Sequence, residues 1–247
     1  MAPKKKNTAV KSSPTAGAKK TATPKGGKTA EKLNSESGNS KSPKVAASGE
    51  GSTVDGLYSL LCDSDDPELI AMEGIGKLCE LIGIDSQESP ALMLLWRLGA
   101  GSKPGHITKD EFIKGMAKIR RTSLEGLKSY KAFLDSGFLD YDEFREFFRF
   151  THIFSREGTK KSLEKELVRE LLPIVIDSNR APHLDSFLKF LAASESAEFT
   201  HISIDAWDSF YVFNKNVHPS LVDFDSEGSW PTILDCFVDW KRKIEKK

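Results

Sequence analysis

The chain has 247 residues, 38% of them hydrophobic, which is enough for one sizeable core or two small ones sharing an interface. No run approaches the roughly 18 apolar residues of a membrane span, and no apolar stretch follows the lysine-rich start as it would in a secretory signal, so no membrane partner is expected. The net charge of zero conceals a division: residues 1–50 hold eleven lysines and three glutamates, a charge of +8, so the remainder carries −8 and favours basic partners over nucleic acid.

Residues 1–52 are Lys, Ala, Ser, Thr, Gly and Pro-rich and contain no aromatic residue. They cannot bury enough apolar surface to offset the entropy of ordering, so a disordered basic tail is expected. Its Lys4, Lys5 and Lys6 read equally as a nuclear localisation signal or as part of a solubilising tail. Location in nucleus and cytoplasm is the expectation, with only weak attraction for nucleic acid through the tail. Cys62, Cys79 and Cys236 are odd in number, widely spaced and without a C-x-x-C pair. A disulfide framework or zinc site is not expected.

From Thr53 onward the pattern is that of amphipathic helices. Helices are predicted over 54–62, 70–82 and 90–98, the last apolar nearly all round and therefore buried. Thr108 and Glu111 form a capping box that opens a helix over 110–119. Ser123 caps another to about residue 134. Asp140 and Glu143 open a helix whose Phe144, Phe147, Phe148, Phe150 and Phe154 make an aromatic stripe. Helices over 162–176, 183–193, 203–216 and 230–246 complete the set. Strand-like alternation is scarce, so the fold class is all-α, with an N-terminal half at about 53–157 and a C-terminal half at about 158–247.

Two inter-helix loops have the outline of calcium loops. The first begins at Asp63 with Asp65 following and Ile70 at the hydrophobic eighth position, but its sixth residue is Glu68 and its twelfth is Gly74. The second has Gly105, Ile107 and Glu111 at positions six, eight and twelve, but Ala100, Ser102 and Pro104 where carboxylates belong. Each keeps shape residues and lacks the ligand set, so two EF-hand-like subdomains without metal are expected, and no cofactor. A calcium sensor with divergent loops is the alternative reading. A chromatin- or RNA-associated protein acting through the tail is another.

No P-loop, Rossmann fingerprint, H-E-x-x-H or G-x-S-x-G is present, which favours a binding module over an enzyme. The histidines at 106, 152, 183, 201 and 218 are scattered, and surface or core-edge positions are expected for them. The C-terminal region is the most informative. Asp205 opens a helix whose Trp207 and Phe210 mark its buried side. Asp223, Asp225, Glu227, Asp235 and Asp239 then crowd a short stretch, a local negative potential suited to steering a basic partner. Pro231 is expected in the first turn of the last helix with Ser229 as its N-cap, and Ile233, Phe237, Trp240 and Ile244 as its apolar face.

The D-x-W helix at Asp205 and Trp207, the acid-rich turn, and the run EGSWPTILDCFVD at 227–239 resemble the C-terminal signature of the defective-in-cullin-neddylation family. IAMEGIGKLC at 70–79, Trp96 and DEFIKGM at 110–116 resemble the N-terminal half of the same potentiating-neddylation domain, so the likeness runs from about residue 57 to 240. The resemblance implies a metal-free pair of EF-hand-like subdomains and a non-catalytic scaffold. It implies a cullin-binding patch at Asp205, Ser229 and Asp235, with Ser229 standing where the family has alanine. The partner there would be the winged-helix end of a cullin. It also implies an apolar pocket for the acetylated N-terminal methionine of the neddylation conjugating enzyme, at Met72, Ile75, Ala91, Leu94, Ile107, Phe154 and Ile174, with Ala91 replacing a larger aliphatic residue. The cullin-associated RING subunit would work alongside.

Overall fold

Ten α-helices, four strands of two or three residues and three single-turn 3-10 segments make up residues 53–246, the part that the computed structural model describes. The tail, with its lysine run and the localisation signal and weak nucleic-acid attraction expected of it, lies outside the described residues. The order is α1 (Val54–Leu61), β1 (Leu69–Ile70), α2 (Met72–Ile82), α3 (Ser89–Leu98), β2 (Ile107–Thr108), α4 (Lys109–Lys118), α5 (Leu124–Tyr130) and α6 (Tyr141–Phe154). Then come β3 (Ser162–Glu164), α7 (Lys165–Val175), α8 (Leu184–Ala192), β4 (His201–Ser203), α9 (Ile204–Asn216) and α10 (Thr232–Glu245).

Local chemistry sets most of the boundaries. Both predicted capping boxes are present: Thr108 with Glu111 at the start of α4, and Asp140 with Glu143 at the start of α6. Thr53, Ser123 and Ser203 cap α1, α5 and α9 through their hydroxyls. Gly83 and Gly99 end α2 and α3 at φ of 76° and 80°, the left-handed conformation that glycine adopts without strain.

Three helix starts differ from the sequence reading. Ile70 and residues 162–164 leave the helical pattern because they pair as strands. β1 runs antiparallel to β2, with Ile70 opposite Ile107, so the hydrophobic eighth residues of the two calcium-like loops meet. β3 and β4 pair with Leu163 opposite Ile202. Each ladder fastens the loop of one helix pair to the loop of the next. The third difference is at α10: Pro231 is its N-cap residue, so Ser229 lies outside the helix and does not cap it.

The loops are held closed by the protein's own groups. At the twelfth position of the first, a Cβ on Gly74 would meet Leu61 O at 2.1 Å, so no carboxylate can stand there without moving α1. In the second, Glu111 Oε1 accepts the N–H groups of Gly101 and Ser102 at 3.1 and 2.8 Å, while Oε2 accepts the N–H and hydroxyl of Thr108 at 2.8 and 2.9 Å. Burial alone would raise the Glu111 pKa, but these donors outweigh it and hold the carboxyl below its usual range.

A continuous core runs through both halves of the domain. At its centre α6 packs on α9. Phe148 and Trp207 stack with ring centroids 4.5 Å apart, and Trp207 Nε1 donates to Phe148 O at 2.7 Å. Asp208, one residue on, takes a two-pronged contact from Arg145 at 3.0 and 2.7 Å and a third from Arg149 at 2.9 Å. Burial would raise the Asp208 pKa, but the two guanidinium groups hold it below its usual range.

His152 and His183 are fully buried, against the expectation of surface or core-edge positions. Their partners are backbone carbonyls distant in sequence: His152 Nε2 donates to Ile202 O and His183 Nε2 to Val217 O, each at 3.0 Å. Burial pushes both imidazoles below their ordinary 6.5. Unfolded, each takes up a proton as pH falls through about 6.5; folded, it stays neutral to lower pH. The unfolded chain thus binds more protons below that pH, and stability falls with acidification. The urea midpoint should be lower at pH 5.5 than at 7.5, with a shallower pH slope in His152→Phe. A midpoint that is flat or rising on acidification would contradict this account.

Candidate functional site

The acid-bearing C-terminal region is built on α9 and α10, which pack on each other. Asp205 is exposed in the first turn of α9, while Ala206 and Trp207 behind it are buried. That placement follows from the local sequence: Ser203 caps the helix, its Oγ accepting the Ala206 N–H at 3.1 Å, and the Trp207 ring anchors the inner face. Asp235 lies half-buried in the first turn of α10. Partial burial, then the like charge of Asp239 one turn on, raises its pKa. The Cys236 thiol is pushed up by burial, then by Glu198, Asp239 and Asp235. Glu198 is thus near enough to Cys236 to act on its thiol, a proximity that its sequence position, far from the acid-rich stretch, does not announce.

Ser229 is exposed in the segment that joins the two helices. A tight turn precedes it, with Gly228 N–H reaching Asp225 O at 3.3 Å; a Cβ on Gly228 would meet that oxygen at 3.1 Å. Trp230 then folds inward, edge-on to Phe213 with centroids 5.4 Å apart. Two of the clustered acids brace this segment: Asp223 Oδ1 accepts the His218 N–H at 2.8 Å and Asp225 Oδ1 the Glu227 N–H at 2.9 Å. Asp205, Glu227, Asp235 and Asp239 make no side-chain ion pair among the described residues.

The seven pocket positions divide. Ile75, Ala91, Leu94, Ile107 and Phe154 are buried core residues, each at most 4% exposed. Met72 is 63% exposed and Ile174 37%, so these two are the apolar groups that present themselves to solvent. A cavity of about 300 Å³ lies elsewhere, lined by Ser89, Pro90, Lys131, Leu134, Asp135 and Ser136, and none of the seven borders it.

Among the described residues no group of three or more His, Cys, Asp or Glu is arranged to hold a metal ion, and no helix is long and apolar enough to cross a membrane. The perturbed groups Asp208, His152 and His183 are accounted for by the core contacts already described.

An exposed acidic patch thus stands on two packed helices, beside an apolar core. Residues 126–240, which contain that patch, match the family model described as cullin binding. Over 175 residues the chain is 31% identical to DCN1-like protein 5 of Rattus norvegicus, covering 71% of this chain and 72% of the relative. It is 30% identical over 178 residues to DCN1-like protein 4 of Danio rerio, and 30% over 183 residues to DCN1-like protein 3 of Bos taurus. Those two alignments cover 72% and 73% of this chain and 62% and 59% of the relatives. The chain belongs to the DCN1-like family.

Proposed function

We propose that this protein is a non-catalytic scaffold for cullin neddylation. It binds the winged-helix end of a cullin through Asp205, Ser229 and Asp235, and the neddylation conjugating enzyme through that enzyme's acetylated N-terminus. Holding both beside the RING subunit raises the effective concentration of the thioester near the acceptor lysine and narrows its orientations. No residue of the chain need form a covalent bond. The observation that carries this reading is the placement of Asp205 and Asp235 in the first turns of two packed helices, within the stretch that matches the cullin-binding model.

Individual surface ion pairs are worth roughly 0–1 kcal/mol, so the carboxylates steer and select while shape and apolar contact supply the rest. Serine at 229 is small enough to keep the surface open. For the conjugating enzyme, exposed Met72 and Ile174 offer the apolar rim and the five core residues the floor. Acetylation matters because burying a charged amine costs far more than burying a neutral amide. The helix pairs laddered through Ile70 and Ile107 support reading them as EF-hand-like. The close approach at Gly74 and the commitment of both Glu111 oxygens argue against a calcium sensor.

In a reconstituted reaction with cullin, RING subunit and charged conjugating enzyme, the protein should accelerate modification of the cullin. An acetylated N-terminal peptide of the conjugating enzyme should compete, and its unacetylated form should not. Absence of both acceleration and cullin binding would sink the proposal.

A further inference from the structure

The segment 217–231 contains no helix or strand, yet it carries Ser229. A segment that moved freely would lose conformational entropy each time a partner fixed it. Two adjacent cations on α10 hold it from the buried side. Lys241 is 8% exposed, and its Nζ donates to Pro219 O at 2.7 Å and lies 3.3 Å from His183 Nδ1. Because His183 Nε2 donates to Val217 O, Nδ1 is the acceptor for that ammonium. Arg242 Nη2 donates to Leu221 O at 3.3 Å, and its guanidinium carbon lies 5.5 Å from the Phe224 ring centroid. The carbonyls of 217, 219 and 221 are thus each held by a donor from outside the segment.

Backbone geometry agrees with a clamped segment. Leu221 sits at φ 58°, a conformation that a non-glycine residue keeps only where its surroundings hold it. Its side chain is 2% exposed, whereas Val222 beside it is 82% exposed. A methionine would fill the Lys241 site with less desolvation, so what the ammonium adds is its bond to the carbonyl.

We propose that Lys241 and Arg242 are positioning residues for cullin binding. They tie the segment that carries Ser229 to the same rigid helix that carries Asp235, and so fix the two recognition elements relative to each other. The inference rests on the cullin-binding reading above.

The test measures binding of a purified cullin C-terminal domain, binding of the acetylated conjugating-enzyme peptide, and amide exchange, in the wild type and in Lys241→Met, Lys241→Gln and Arg242→Leu. Lys241→Met should lose about tenfold or more in cullin affinity and Arg242→Leu about threefold. Lys241→Gln, whose amide can still donate to Pro219 O, should stay within about threefold of wild type. Exchange should quicken within 217–231 and not in α6 or α9, and peptide binding should be unchanged. Wild-type cullin affinity in Lys241→Met would overturn the inference, as would exchange that quickens evenly across the domain. Should Lys241→Met not fold, wild-type affinity in Arg242→Leu overturns it. A wild-type protein that does not bind the cullin domain overturns the cullin reading itself, and this inference with it.

Discussion

Reversing both patch charges, Asp205→Lys with Asp235→Lys, is expected to weaken binding of a cullin C-terminal domain by about a hundredfold or more. Neutralising either carboxylate alone removes one exposed ion pair, worth roughly 0–1 kcal/mol, or about fivefold at most. Reversal adds repulsion against a basic partner, and like charges brought together cost several kcal/mol. The fold should survive. Asp205 is exposed, and Asp235 makes no ion pair among the described residues. A lysine in a helix's first turn meets the positive end of the helix dipole, a loss of about 0.3–1 kcal/mol at each site. Circular dichroism should therefore be unchanged, with a slightly lower melting temperature. Titration calorimetry at two salt concentrations gives the second readout: wild-type affinity should fall with salt and that of the double variant should not. Equal affinity in the two proteins would remove Asp205 and Asp235 from the interface.

Trp207→Ala is expected to lower the unfolding free energy by about 3–5 kcal/mol, a large share of the roughly 5–15 kcal/mol typical of a domain. The side chain is 1% exposed, so its loss leaves a cavity between α6 and α9. It also removes the stack on Phe148, worth about 0.5–1.5 kcal/mol, and one of the donors to Phe148 O, which keeps the Thr151 hydroxyl at 2.7 Å. Trp207→Phe separates these effects, keeping most of the ring contact and losing the 2.7 Å hydrogen bond. Urea unfolding should rank wild type above Trp207→Phe and Trp207→Ala last. A cost below about 1 kcal/mol for alanine would show that α6 and α9 do not depend on this contact. Because Trp207 stands two residues from Asp205, cullin binding should be weakened in Trp207→Ala and retained in Trp207→Phe.

How much of this was legible in the chain depends on the range of the interaction. Capping boxes lie within four residues, so Thr108 with Glu111 and Asp140 with Glu143 could be read directly. The aromatic stripe of α6 follows helical periodicity, and it is buried as that period requires. The two ladders could not be read, because strands of two or three residues carry no alternation to detect. The sequence pattern therefore places Ile70 and Ser162 in the helices they precede. His152 and His183 escape for another reason: the Nε2–H of each donates to the backbone of a residue more than thirty positions away, and a backbone partner leaves no mark in sequence. The pairing of Asp208 with Arg145 and Arg149 is equally remote, and among so many surface charges nothing singled it out. The site shows the same division. Asp235 stands out by crowding and by family likeness and Asp205 by the likeness alone, whereas Lys241 enters only through folding.

The carboxylate of Glu111 gives the second loop an unusual independence. A loop closed by a diffusible ion takes its shape from the supply of that ion, and opens and closes as the supply changes. Here the closing charge is tethered to the helix that follows, at a local concentration that dilution and chelators cannot alter. The one small ion that can release it is the proton. With the carboxyl held below its usual range, its contribution to stability is present above the ordinary carboxylate pKa and is lost as pH falls through the lowered one. At neutral pH the loop is therefore constitutively shut, a fixed joint built on the plan of a sensor.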